Sequence, residues 1–239
     1  MNAATITKNF INLIYPLHCP ICKKSLGAMN ESRLCEFCIS KVRRNPRPHC
    51  ASCGRPMDNS GALCAECKKI KNHFTRAYSA CLYEGALKEA IHLFKYGKKS
   101  YLSGILSSFM IDFIKDEPAI IKNIDVVTFV PLNRRSLRER EFNQSKLLGA
   151  GISKEFYIPI SDTMDKIIIT KHQNELARNE RFVNLKGAFR LRKGTDVLGL
   201  GILLIDDVMT TGATLNECAS VLLAGGAREV RCLTLARGA

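Results

Sequence analysis

Two neighbouring acids followed by a hydroxyl-rich turn make up the segment richest in chemistry, Gly201-Ile-Leu-Leu-Ile-Asp-Asp-Val-Met-Thr-Thr-Gly-Ala-Thr214. Asp206 and Asp207, with diverging side chains, suit adjacent hydroxyls or a hydrated Mg²⁺. Thr210, Thr211, Gly212, Ala213 and Thr214 then open a helix, whose unpaired N–H groups and positive end hold an anion by hydrogen bonds and dipole together. Acids followed by amides imply a ribose 5-phosphate, with Val208 and Met209 joining the two parts of one ligand-binding run. The apolar residues Ile202 to Ile205 form a strand covered on both faces, and Asp206 and Asp207 follow at its carboxyl end, where a parallel sheet presents its ligands. The plainer reading is a strand, an acidic turn and a Thr-capped helix.

The second cluster of reactive residues is sulfur. Cys19-x-x-Cys22 with Cys35-x-x-Cys38, and Cys50-x-x-Cys53 with Cys64-x-x-Cys67, give two sets of four among the eleven cysteines. A CxxC turn brings two sulfurs to one tetrahedral Zn²⁺, and a second turn closes the site. Four turns allow three pairings, of which the sequential one is simplest. One or two structural zinc ions are expected, because disulfides fit poorly with a cytosolic chain and a redox CxxC needs no four copies. All ligand positions are thiolates, so no open position is left for catalysis. His18 and His49, each directly before a CxxC turn, could replace a thiolate, but the favoured reading is surface residues. Cys81, Cys218 and Cys232 sit in apolar runs and read as small core residues.

The elements that must position these groups follow from periodicity. A boundary near Phe74 divides an N-terminal part, 1–74, from a larger part, 75–239. Seventy residues with few large apolar side chains fold securely only with help, and structural zinc supplies on the order of 10 kcal/mol. Beyond the boundary, strands alternate with helices, predicting an α/β domain with a parallel sheet. The strands are Ala77–Tyr83, Ile124–Val130, Lys166–Thr170, Gly201–Ile205 and Glu229–Leu235. Helical spacing relates Leu87, Ile91 and Phe94, then Leu102, Leu106, Phe109 and Phe113, with a break at Gly97. Another helix carries Leu215, Cys218, Ala219 and Leu222 and ends at Gly225-Gly226. A short amphipathic helix is expected around Ile6, Phe10, Leu13 and Ile14.

The formal net charge is +14, from 36 basic and 22 acidic residues, and 46% of residues are hydrophobic. This composition supports globular folding and argues against a disordered chain. Residues 1–75 hold twelve of the bases and four of the acids. Two four-thiolate zinc sites, each adding about −2, reduce that excess to roughly +4. Such a surface attracts nucleic acid and polyphosphates alike. No run is long enough to cross a membrane, no stable membrane insertion is expected, and the first fifteen residues lack the features of a signal peptide, so the expected compartment is the cytoplasm.

Two basic loops follow predicted strands. Pro131 to Gln144 carries Arg134, Arg135, Arg138 and Arg140. Arg134 and Arg135 leave a strand's carboxyl end and reach for a diphosphate, while Arg138 and Arg140 bind ligand or pair with Glu139 and Glu141. Lys171 to Lys186, with His172, reads as a polar lid. Tyr15, Phe37, Phe74 and Tyr96 lie near basic residues and stack on bases or serve the core.

The segment 201–214 resembles the phosphoribosyl-diphosphate (PRPP) motif of type I phosphoribosyltransferases. The whole chain resembles the ComF/ComFC competence-protein family. The resemblance rests on the double CxxC ribbon, Leu93-Phe-Lys-Tyr-Gly97, Val130-Pro-Leu with Phe142-Asn-Gln144, Glu180-Arg-Phe-Val-Asn-Leu-Lys-Gly-Ala-Phe189 and the terminal motif. The family usually has Gly at the position of Glu141 and a Gln-Thr-type segment at Gln173-Asn174-Glu175. The resemblance implies a small zinc-ribbon domain before a type I phosphoribosyltransferase-like domain, and a role in natural transformation and DNA uptake. It also implies contact with single-stranded DNA in the cytoplasm and a competence helicase as partner. The competing reading is an enzyme that transfers 5-phosphoribose from PRPP to a base or amine with Mg²⁺. There Asp206 and Asp207 hold the ribose at the catalytic centre, Thr210 to Thr214 the 5-phosphate, and Lys95 or Arg134 and Arg135 the diphosphate. A third reading keeps PRPP as a sensed ligand that biases DNA or partner binding.

Overall fold

The computed structural model describes residues 17–26, 33–59, 62–167 and 185–238. Its strands are β1 (Arg76–Leu82), β2 (Val126–Phe129), β3 (Met164–Lys166), β4 (Phe189–Leu191), β5 (Gly201–Met209) and β6 (Glu229–Arg237). Its α-helices are α1 (Glu36–Ser40), α2 (Gly85–Tyr96), α3 (Ser103–Asp116), α4 (Arg134–Arg140), α5 (Gln144–Phe156) and α6 (Ala213–Ala224). β1, β6, β5 and β2 form, in that order, a sheet whose neighbours all run parallel. Alternating side chains of the central strands feed two cores. Leu203, Ile205, Leu233 and Leu235 meet Leu106, Met110, Leu148 and Ile152 of α3 and α5. Ile202, Leu204, Val230 and Cys232 meet Cys218 and Leu222 of α6. Burial on both faces explains why these strands are continuous apolar runs. Cys81, Cys218 and Cys232 are wholly buried in these cores, as expected.

Three expectations are corrected. β5 does not stop at Ile205, because β6 runs beside it to the end, pairing Asp206 with Thr234, Val208 with Ala236 and Met209 with Arg237. The two acids therefore sit inside the strand, on backbone held by ladder hydrogen bonds. The loop from Pro131 is largely helical. Asn133 caps α4 by accepting from the Ser136 N–H at 2.8 Å. Glu141 ends it at φ 69°, a left-handed conformation that costs a side chain and not glycine, which accounts for the glycine that relatives were expected to carry there. Glu141 is paired with Lys98. Where a strand of the parallel sheet was expected at Lys166–Thr170, the described strand is Met164–Lys166, which pairs antiparallel with β4 apart from the parallel sheet. Arg192 fixes this flap by reaching Asp162 at 2.9 Å and Asp165 at 3.0 Å. Residues 168–170, the N-terminal helix with Tyr15, and 171–184 of the lid with His172 lie outside the described residues.

The cysteine-rich segment borders the sheet at its β1 edge. Leu82 donates to the Arg43 carbonyl at 2.9 Å, Asn45 to that of Ala80 at 3.0 Å, and Ala77 to that of Ser52 at 2.7 Å. The buried Asn45 side chain adds bonds to the Gly54 carbonyl at 2.9 Å and the Ser79 carbonyl at 3.0 Å. β1 thus has hydrogen-bonded neighbours on both sides. Among the described residues, no helix is long and apolar enough to cross a membrane.

Candidate functional site

The carboxyl ends of β2 and β5 open into a cleft of about 420 Å³. Its lining brings together Lys95, Arg135, Asp206, Asp207 and every residue from Val208 to Thr214. Arg134 is exposed on α4 and does not line it. The turn after β5 closes at Gly212, whose φ of 82° favours glycine and whose added Cβ would lie 2.6 Å from Met209 Cε. Gly212 offers no side-chain cap to α6, and no acid stands in its first turn. The positive end of a 12-residue helix therefore faces the cleft without a protein carboxylate in that turn.

The acids are held differently. Asp206 Oδ1 accepts from the Ser145 hydroxyl and from the Asp207 N–H, both at 2.9 Å. Burial pushes its carboxyl up to about 7, and the Asp207 charge adds to this, while Lys95 and the two hydrogen bonds pull down. Asp207, 6% exposed, pairs with Lys95 Nζ at 2.7 Å. Burial works to lower the Lys95 ammonium, but Asp207 and then Asp206 outweigh it and raise it. Lys95 is thus bound to an acid in the absence of ligand.

The cleft also holds residues that the sequence reading did not single out. Lys166 hangs from the β3–β4 flap, and burial holds its ammonium below the ordinary lysine range. Gln144, 1% exposed, accepts from Arg140 at 3.1 Å while its Nε2 has no partner among the described residues. Ser145 follows it. The legible signal for both was Phe142-Asn-Gln144, since Asn143 caps α5 through Lys146 N–H and donates to the Val130 carbonyl at 3.0 Å, fixing α5 against β2. Arg135 pairs with Glu139 at 2.9 Å, and the Arg140 guanidinium stands 5.2 Å from the exposed Tyr96 ring. Of the other expected stacking residues, Phe37 is exposed and Phe74 buried.

The eight CxxC cysteines gather as two sequential fours, Cys19/Cys22/Cys35/Cys38 and Cys50/Cys53/Cys64/Cys67, each with sulfurs within 4.8 Å of one another. Zinc with Zn–S bonds of about 2.3 Å sets neighbouring sulfurs about 3.8 Å apart. The separations of 3.8 Å for Cys19–Cys38, 3.4 Å for Cys22–Cys35 and 3.8 Å for Cys53–Cys64 fit that tetrahedron. They lie far from the roughly 2.05 Å of a disulfide. Neither group includes a histidine. His49 instead contacts the Asn45 carbonyl at 3.3 Å, and His18 is exposed.

Residues 10–68 match the double zinc ribbon domain and residues 143–239 the phosphoribosyl transferase domain. The chain is 30% identical over 228 residues to the DNA utilization protein YhgH of Escherichia coli (strain K12), covering 94% of this chain and 99% of that protein. It is 27% identical over 233 residues to Competence protein F of Haemophilus influenzae, covering 96% and 99%. Competence protein ComFC of Bacillus subtilis (strain 168) is 29% identical over 215 residues, with 87% and 85% covered.

Proposed function

Because the chain belongs to the ComF/ComFC competence-protein family, we propose that it acts in cytoplasmic DNA uptake during natural transformation, binding PRPP or a related 5-phosphoribosyl ligand and single-stranded DNA. The observation that carries the ligand reading is the meeting of Asp206 and Asp207 with the α6 N-terminus in one cleft. Ribose hydroxyls donate to the two carboxylates. The 5-phosphate is held by the turn Thr210–Thr214, and the diphosphate by Arg135 and by Lys95 once it shifts from Asp207. Gln144 Nε2 at the cleft wall, without a partner among the described residues, calls for an acceptor oxygen, which such a ligand has in abundance. Asp206 and Asp207 have the oxygen donors that would hold Mg²⁺, which would supply charge neutralisation for the diphosphate. Calorimetry with PRPP and Mg²⁺ on zinc-replete protein tests this: saturable binding is expected, lost in Asp206→Asn/Asp207→Asn. Absence of binding by the unaltered protein would refute it.

The single-strand reading draws on exposed rings paired with cations, of which Tyr96 and Arg140 line the cleft. Tyr96, 51% exposed, carries Arg140, and Tyr101, 44% exposed, stands beside both Arg33 at 5.6 Å and Lys99 at 5.7 Å. Bases stack on such rings while the cations follow the phosphates. Binding should fall steeply with salt, and a salt-insensitive affinity would count against it. A helicase partner belongs to the same reading.

The seating of Asp206 in the cleft, beside the Asp207 charge and hydrogen-bonded to Ser145, favours retained catalysis. An acid pushed up to about 7 by burial exchanges protons at neutral pH. In that reading an acceptor nitrogen bonds to ribose C1, the C1–O bond to diphosphate breaks with its electron pair leaving on diphosphate, and Asp206 takes the acceptor's proton. Diphosphate release with a panel of bases and amines tests it. Because the base form of Asp206 is the active one, kcat/KM should rise through an apparent pKa near 7 and lose that rise in Asp206→Asn; no release with any acceptor leaves a binding protein.

A further inference from the structure

A buried arginine stands between the second thiolate cluster and the phosphate loop. Arg237, 4% exposed at the end of β6, places Nη2 4.0 Å from Cys53 Sγ and donates from Nη1 to the Met209 carbonyl at 3.3 Å. Its Nε has no hydrogen-bond partner, and no carboxylate pairs with it among the described residues. Guanidinium remains charged in proteins, so burying it requires a counter-charge nearby. Four thiolates around one Zn²⁺ carry about −2, fixed in one tetrahedral geometry beside Arg237, and removing the metal takes that fixed arrangement away. Glu66, the carboxylate whose charge also acts on Arg237, is paired with Arg55 at 3.1 Å, so the metallated cluster in contact with Arg237 supplies the larger part of its counter-charge. Met209, on the other side of Arg237, is the residue before Thr210, and its carbonyl also accepts from Gly238 N–H at 2.9 Å.

A second connection runs from the same cluster to the far side of the loop. Asn72 Nδ2 lies 3.8 Å from Cys67 Sγ and donates to Ser52 Oγ at 2.9 Å. The next residue, His73, donates its N–H to Asn216 Oδ1 at 2.7 Å, and Asn216 N–H bonds the Gly212 carbonyl at 2.9 Å. The loop is thus tied to the cluster at Met209 on entry and at Gly212 on exit.

We infer that Arg237 is a positioning residue through which metal occupancy at Cys50, Cys53, Cys64 and Cys67 sets the affinity of the phosphate loop for its anion. The inference rests on the phosphoribosyl reading of the cleft. Coupling of this kind is reciprocal, so bound ligand must strengthen metal binding by the same factor. The test is a titration of the full, two-zinc protein with a zinc-selective chelator, with and without saturating PRPP and Mg²⁺. PRPP should tighten one zinc about tenfold and leave the other unchanged, and protein lacking that zinc should bind PRPP about tenfold more weakly. Arg237→Met should remove most of the coupling, leaving what passes through His73 and Asn216, and Arg237→Lys should restore part of it, an outcome that general loosening of the fold does not produce. Unchanged affinity of both zinc ions, or full coupling in Arg237→Met, overturns the inference, and the wild-type titration decides even if the variant does not fold. Failure of the cleft reading is distinguishable, because the two-zinc protein then shows no PRPP binding before any zinc is removed.

Discussion

The two cysteine clusters are built alike and placed differently. In each, the residue before the first CxxC bridges a residue three positions after the second cysteine, His18 to Ser25 and His49 to Pro56. In each, the residue right after that CxxC is left-handed, Lys23 at φ 62° and Gly54 at φ 66°. The first cluster leaves Cys22 and Lys23 exposed and packs Cys19, Cys35 and Cys38 into the core that includes α3. The second places Cys50, Cys53 and Cys64 in the core that includes Met209, Ala213 and Leu215. One motif therefore packs against the α3 side of the sheet in one copy and, in the other, into the core behind the turn that lines the candidate cleft. The difference comes from what each copy touches.

Removing both metals should produce the largest effect and test what the copies share. Structural zinc contributes on the order of 10 kcal/mol per site, so hydrogen exchange should show protection lost across both ribbons; a metal-free protein with both still protected would break the likeness. Gly54→Ala should separate the copies by stability. Its Cβ would stand 2.6 Å from the Ala77 carbonyl oxygen in a left-handed backbone, so a cost of about 3 kcal/mol in urea unfolding is expected. An unchanged midpoint would show that the second ribbon does not bear on β1. Tyr101→Ala, on the side of the first cluster through Arg33, should weaken single-strand binding about tenfold and leave PRPP affinity unaltered. Equal loss of both would blur the division of labour. Lys23→Gly should have the smallest effect, a stabilisation of up to about 1 kcal/mol from relief of left-handed strain at an exposed site.

Much of the site was legible because its determinants are local. CxxC spacing brings two sulfurs toward one metal, the fold deciding which turns share it, and an acid pair followed by a Thr-Gly turn marks a strand-to-helix turn. Gly97 and Gly225 end helices where a local signal placed them. What escaped depends on distant partners. β5 continues through charged residues because β6 lies alongside to Arg237, and nothing within Asp206–Met209 announces a neighbour. The helix from Arg134 has no buried residue, hence no apolar periodicity, and rests on the Asn133 cap. Lys166 reads as a strand-end cation until the flap brings it over the cleft. Arg237 looks like a surface charge at the end of a strand, yet it is buried because a cluster formed more than 150 residues earlier in the chain closes over it.

The hydrogen bonds between β1 and residues 43–54 bear on how the chain can be divided. A truncation starting at Phe74 would strip one side of β1 of the partners at Arg43, Asn45 and Ser52. Bare, mostly buried-type strand backbone recruits whatever strand it meets, most readily that of an identical molecule. Such a fragment should reveal itself by self-association and poor yield before any ligand is added, and the cysteine-rich segment acts, in this sense, as a built-in guard against edge-to-edge aggregation.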